Sequence, residues 1–302
     1  MPELPDIVTY VACLEPRVMG HSLEAIQLVD PFILRSVDPP VAEAVGHRVT
    51  SVRRLGKRIV LGLDNDIFVI IHLMIAGRLR WRGSQAKLGR NGLVAFDFDT
   101  GRLLLTEAAK KRRARLHLVR GDAALAGHDP GGLEVLEASL ADFSQQLTAH
   151  NHTLRRALTD PRLFSGIGNA YSDEILHHAR LSPLKLSQKL APDEIERLYH
   201  STRTVLLEWV ERFRQEVGDG FPEKVTAFRP EMMVHGRYQE PCPVCGTSVA
   251  RIRYADNETN YCPQCQTEGR LLADRSLSRL LKKDWPRTVE ELEFFGRRAE
   301  GG

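Results

Sequence analysis

The sequence lacks any run of eighteen apolar residues free of charge, and its N-terminus lacks the apolar core of a signal peptide. On these absences neither a membrane-spanning helix nor a secretory leader is expected, so no membrane partner is expected and a cytoplasmic location is. Low-complexity tracts and internal repeats are absent too, which excludes a solenoid. Charge of one sign is scarce: 42 Lys and Arg face 39 Asp and Glu, a net charge of +3. Such a balance permits a polyanionic partner without requiring one, and the distribution of the charges must decide. Cysteine is also rare, and its placement is uneven. Of five, four (Cys242, Cys245, Cys262, Cys265) crowd into one short segment while Cys13 stands alone, which argues for a metal rather than disulfides.

What is present is a chain of 302 residues, 42% hydrophobic, long enough for two domains and a sizeable core. Ile7, Val8, Val11, Leu14 and Val18 recur at helical spacing, which predicts a helix over residues 5–18. From there to about residue 120 the pattern becomes short β-rich runs such as "RIVLGLD", "IFVIIHL" and "RLLLTE", parted by Gly, Asp and Asn turns. Even spacing of this kind predicts an antiparallel sandwich or barrel. Helical periodicity takes over after "GHDPGGLEVLEA", so a boundary is expected near residues 125–137. The expected divisions are residues 1–125, 138–234, 235–270 and a basic, helix-prone tail at 271–302. In that tail Leu271, Leu272, Leu277, Leu280 and Leu281 suggest a helix packed on the body.

The strongest local signal is "CPVCG" followed, sixteen residues on, by "CPQC". Two such knuckles supply four thiolates for one tetrahedral Zn²⁺, and the intervening residues hold too little apolar mass to fold alone. Arg251 and Arg253 alternate along an expected strand there, facing either phosphates or solvent. In "TDPRLFSGIGNAYSDEIL", Gly166 and Gly168 form a tight turn and Asn169 is a good N-cap. Ser172, Asp173 and Glu174 are expected in the first turn, where the helix dipole favours anions. Such a turn is either an ordinary helical connection or a site for a phosphate. Basic residues cluster in "RRLGKR" (Arg53, Arg54, Lys57, Arg58) and "KKRRAR" (Lys110 to Arg115). Each alone reads as a solvated face, but with the helical turn and the zinc module they predict a duplex-binding cleft.

The N-terminal "MPELP" then gains a meaning. Removal of Met1 exposes the secondary amine of Pro2, and an α-amino group titrating near pH 8 is roughly one-tenth unprotonated at pH 7. Its adduct with a sugar aldehyde is an iminium ion, an electron sink that acidifies the neighbouring carbon and permits strand cleavage by elimination. Glu3, one residue on, is placed to protonate the opening sugar ring or to shuttle protons.

With these pieces assembled, the sequence resembles the formamidopyrimidine-DNA glycosylase and endonuclease VIII family. The resemblance rests on "PELP" at 2–5, Gly56–Lys57, "IHL" with Gly77, "GIGNAYSDEIL" at 166–176, "HGRYQEPCPVCG" at 235–246 and "YCPQCQ" at 261–266. It implies an α+β multidomain protein: an N-terminal β-sandwich with an N-terminal helix, a helix–two-turn–helix domain and a C-terminal four-cysteine zinc finger. It further implies that Pro2 is the nucleophile at the sugar C1′, Glu3 the proton donor, and Lys57 and Asn169 phosphate ligands. Damaged double-stranded DNA is the implied partner of a monomeric enzyme with one structural Zn²⁺. Excision followed by β- and δ-elimination is the implied reaction.

The chain departs from that pattern in places. Asn257 stands where relatives carry a finger arginine that reaches the lesion's phosphates, leaving Arg251 or Arg253 to replace it. The gap-filling "DPRRFG" segment is replaced by "TEAAKKRRARLHL", where Arg112 and Arg113 remain as DNA-binding candidates without an aromatic residue. "HLMIAG" leaves Met74 or Ile75 as the wedge between bases. The stretch between Gly218 and "HGR" is short, which points away from tight 8-oxoguanine specificity. Two further readings accompany the bifunctional one: an AP lyase or crosslink-processing enzyme with little glycosylase activity, and a non-catalytic binder of damaged DNA.

Overall fold

The structure is a computed structural model; it describes residues 1–223, 225–254, 257–273 and 286–291. Most of the expected tail helix, including Leu277, Leu280 and Leu281, lies outside the described residues. The chain divides into two compact units, residues 1–132 with 207–227, and residues 133–206 with 228–302.

The first unit opens with helix α1 (Leu4–Val18), where Pro5 occupies the first turn, a position that needs no backbone donor. The Glu3 amide donates to the Asp6 carboxylate at 2.8 Å, which fixes the chain entry just ahead of the helix. Leu4, Ile7, Tyr10, Leu14 and Val18 are fully buried. Each such aliphatic side chain contributes about 1.5–3 kcal/mol relative to exposure. This packing ties down the end of the chain that carries Pro2.

Eight strands follow: β1 (Leu23–Leu28), β2 (Val49–Leu55), β3 (Arg58–Leu63), β4 (Ile67–His72), β5 (Gly77–Arg82), β6 (Gly92–Phe98), β7 (Gly101–Glu107) and β8 (Arg115–Arg120). They form two four-stranded antiparallel sheets, ordered β1-β6-β7-β5 and β2-β3-β4-β8. The architecture is therefore the sandwich. Ile59, Leu61, Val69 and Ile71 of one sheet share a core with Leu79, Phe96, Leu103 and Leu105 of the other. A short helix α2 (Asp122–Ala126) covers part of the outer face of the second sheet, where Leu125 packs with Val60, Phe68 and Ile70.

The second unit holds α3 (Leu140–Thr148), α4 (Leu154–Thr159), α5 (Asn169–His178) and the beginning of the long α6 (Pro192–Val217). A hairpin of β9 (Ala250–Tyr254) and β10 (Asn257–Tyr261) and the short α7 (Pro263–Thr267) complete it. Residues 207–227 cluster with the first unit rather than with the helices that precede them. In that segment Val225 joins the sandwich core, and the Phe221 ring lies 5.7 Å from that of Tyr10. Among the described residues, no helix is long and apolar enough to cross a membrane.

Candidate functional site: an amine pocket and a phosphate-binding turn

In the first unit, Pro2 and Glu3 are both buried, Glu3 to 3% exposure. The α-amino group of Met1, just outside them, has a pKa below the usual value of 8.0. Loss of water around the ammonium is the main cause; the charges of Arg78 and Lys57 push the same way, and Glu3 and Asp6 oppose them. An amine in this pocket is thus more often neutral, and so more nucleophilic, than one in bulk water.

Lys57 is half-buried at the β2–β3 turn, beside Gly56, whose φ of +60° suits glycine at this reversal. Desolvation pushes the lysine pKa down, while the Glu3 carboxylate raises it. Glu3 and Lys57 therefore sense one another, a carboxylate and an ammonium beside the amine. His72, which pairs across the sheet with Arg58 on one side and Arg115 on the other, is driven down to about 3. Burial is the largest cause and the two arginines the next, so His72 is a neutral imidazole at physiological pH.

The wedge candidates lie in the turn between β4 and β5. The Gly77 amide closes it on the Leu73 carbonyl at 2.9 Å, and a Cβ at Gly77 would sit 2.3 Å from that oxygen, so only glycine fits. Met74 is held at φ +54°, strained for an unbranched non-glycine residue, and is half-buried, whereas Ile75 is 52% exposed. Ile75 is the side chain presented outward. Truncating it to alanine should slow excision from a paired base far more than cleavage of an abasic site; equal slowing of both, measured in single turnover, would count against the wedge.

The loop after β7 is fastened by Glu107, 2% exposed, whose carboxylate accepts from the amides of Arg113 (2.8 Å) and Ala114 (3.0 Å). Arg112 reaches Asp30 at 3.1 Å. "KKRRAR" is accordingly a braced loop leading into β8, with Lys110, Lys111, Arg112 and Arg113 exposed.

In the second unit the turn before α5 departs from expectation. Gly166 takes φ +80°, and the N-cap is Gly168 in an extended conformation, so Asn169 is the first helical residue instead of the cap. Its side chain is thereby freed for other partners: Oδ1 accepts from Arg155 of α4 at 3.1 Å, and Nδ2 donates to Oδ1 of Asn257 at 3.2 Å. Arg155 also approaches the Glu258 carbonyl at 3.4 Å. The sequence reading missed Arg155; its one signal was a place on the helix preceding the Gly-rich turn. Arg251 stacks 3.9 Å above the Tyr238 ring and pairs with Glu258 at 3.3 Å, so it braces the hairpin. Arg253, on the same face of β9, is exposed, while Ile252 between them is buried.

Asp173 and Glu174 are the fifth and sixth residues of α5 and are buried, so the expectation of first-turn anions facing the dipole fails. They are anchors. Asp173 Oδ2 accepts from His235 Nδ1 at 2.8 Å and from the Asn260 amide at 3.0 Å. Burial lifts the Asp173 pKa to about 6 against the opposing pull of His235. Glu174 accepts from three successive amides, those of Met233, Val234 and His235, at 2.7–2.9 Å. These bonds join α5 to the polypeptide that leads into the cysteines.

The four sulfurs of Cys242, Cys245, Cys262 and Cys265 lie within 4.8 Å of one another. A tetrahedron with Zn–S bonds of about 2.3 Å has edges of about 3.8 Å. The measured Cys245–Cys262 and Cys242–Cys265 separations, 3.4 and 4.0 Å, bracket that value. Four thiolates leave no open position, so these cysteines hold one structural zinc ion. The Cys265 amide donates to Cys262 Sγ at 3.4 Å, and Nε2 of buried His177 lies 3.4 Å from Cys242 Sγ.

A sandwich with a buried amine end, a Gly-rich turn between helices and a four-thiolate finger, in that order along one chain, define a DNA-binding protein of modular build. Matches to three family models follow the same order: the formamidopyrimidine-DNA glycosylase N-terminal domain over residues 1–121, its H2TH domain over 129–218, and the zinc finger found in FPG and IleRS over 239–267. The chain belongs to the formamidopyrimidine-DNA glycosylase family. It is 33% identical over 279 residues to the formamidopyrimidine-DNA glycosylase of Chloroflexus aurantiacus, covering 88% of this chain and 98% of that one. The crystal structure of the MutM (Fpg) protein of Thermus thermophilus matches with a TM-score of 0.73 and 30% identity, over 88% of this chain and 98% of that one. The fold also matches the Lactococcus lactis Fpg in complex with DNA containing an abasic site, with a TM-score of 0.76, 24% identity and coverage of 88% and 99%.

Proposed function

We propose that the protein is a bifunctional DNA glycosylase and AP lyase that removes oxidised or ring-opened bases. The observation that carries this reading is the N-terminal pocket, where Pro2 and Glu3 are buried together at the start of α1 and the charges of Glu3, Lys57 and Arg78 bear on the chain end. After loss of Met1, the Pro2 nitrogen attacks the sugar C1′ as the damaged base departs, and Glu3 protonates the opening ring or shuttles protons. The resulting iminium acidifies the adjacent carbon, and β- and δ-elimination release the sugar. Lys57 and Asn169 hold backbone phosphates, with Arg155 orienting the asparagine amide. Arg112, Arg113, Arg251, Arg253 and Asn257 act as further DNA contacts, and Met74 supports Ile75 at the wedge. The target nucleotide is flipped out at a cost of a few kcal/mol, least for a damaged or mispaired base.

The short stretch between Gly218 and "HGR" favours a second reading, an AP lyase or crosslink-processing enzyme with little glycosylase activity. A panel of duplexes bearing a ring-opened purine, 8-oxoguanine, an oxidised pyrimidine or an abasic site separates the two. Release of free damaged base from any of the first three supports the glycosylase; cleavage of the abasic duplex alone supports the lyase. Binding without cleavage of any duplex would leave only a non-catalytic binder.

A further inference from the structure

Strand β5 lies at the edge of its sheet and alternates strictly: Leu79 and Trp81 pack with the sandwich core, while Arg78, Arg80 and Arg82 share the opposite face. They line a groove of about 390 Å³ whose other wall, the 83–91 connection, adds Lys87 and Arg90. Five cations thus converge on one groove within the first unit. Its wall is fixed, because Arg102 on β7 donates to the Ala86 carbonyl at 2.6 Å while also pairing with Asp97. Glu223 pairs with this set at its outer end, accepting from Arg82 at 2.9 Å and lying 3.7 Å from Arg80. Lys87 and Arg90 have no acidic partner among the described residues.

Like charges on alternate positions of one strand face repel one another, and an anion held across them relieves that repulsion. Alternate residues along a strand are separated by about 6.6 Å. That spacing is comparable with the separation of successive phosphates on a nucleic-acid strand. The elongated row of guanidinium groups suits a chain of anions better than a single one.

We propose that the β5 groove is a second nucleic-acid site, holding the phosphodiester backbone of a strand that flanks the lesion, with Glu223 as the carboxylate that a phosphate displaces from Arg80 and Arg82. This rests on the DNA-binding reading above and extends it beyond the amine pocket. Arg80, Lys87 and Arg90 are exposed and take no part in the amine pocket, so they can be changed without touching it.

The test compares the full chain with its R80A/K87A/R90A variant on two duplexes carrying the same central abasic site, one just spanning the lesion and one with long flanks. The expected result is unchanged binding and reductive trapping on the short duplex. On the long duplex, affinity should fall at least tenfold, and the slope of log K against log salt should flatten by about 2.7, near 0.9 for each phosphate that is no longer neutralised. Making the flank single-stranded identifies which form of the backbone the groove holds, since each phosphate then contributes about 0.7. An equal fall on both duplexes, or an unchanged salt slope on the long one, overturns the proposal. Trapping by the unaltered chain on the short duplex reports separately on the glycosylase and lyase reading, whose failure would leave the long-duplex comparison intact.

Discussion

Replacing Glu3 by glutamine should lower base excision at least about a hundredfold, the lower end of what a positioned proton donor contributes. Cleavage of a preformed abasic site should suffer less, because no base has to leave. Folding should scarcely change: at the start of α1 the Glu3 amide donates to the Asp6 carboxylate and the Glu3 side chain accepts from the Asp6 amide, and glutamine keeps both the amide and an accepting oxygen. The amide side chain is also nearly the same shape in a site only 3% exposed. Single-turnover rates on damaged and abasic duplexes, together with a thermal midpoint, check the prediction. Parent-like excision by Glu3→Gln would remove Glu3 from the chemistry.

Removing zinc should have the other large effect. Apparent binding energies of about 10–16 kcal/mol for structural zinc exceed what a two-stranded hairpin can supply for itself. Chelation is therefore expected to release one zinc per chain and to unfold β9, β10 and α7. The damage should spread to α5, because the amides that satisfy Asp173 and Glu174 come from residues 233–235 and 260. Two buried carboxylates would lose their donors, a strongly destabilising change. DNA affinity should fall at least tenfold, and re-addition of zinc should restore it. Metal analysis that finds no zinc in the purified protein, or full DNA binding after its removal, would contradict the assignment.

Much of this architecture was legible in the residues themselves. The apolar spacing of α1, the short β-rich runs behind seven of the eight strands (all but β5) and the spacing of the four cysteines are all local patterns, and local patterns survive translation into structure. What escaped is non-local. Helical periodicity runs unbroken through α6, yet nothing in it says that residues 207–227 cluster with the sandwich. Asp173 and Glu174 looked like first-turn anions because sequence offers them no other partner; the amides that claim them lie about sixty and more residues away. Asn169 was mistaken for the cap because asparagine is a good one, but an extended glycine does the capping and leaves the amide to Arg155 and Asn257. The alternating arginines of β5 were overlooked beside the denser "KKRRAR", although alternation is what aligns charges on one face of a strand.

The most direct test of the account is reductive trapping on a duplex bearing one abasic site, using protein whose mature N-terminus has been confirmed as Pro2 by mass spectrometry. Borohydride should fix a covalent protein–DNA adduct, and peptide mapping should place it on the Pro2 nitrogen. An adduct mapped to Lys57 or another lysine, or no adduct despite measurable binding to the same duplex, would contradict it.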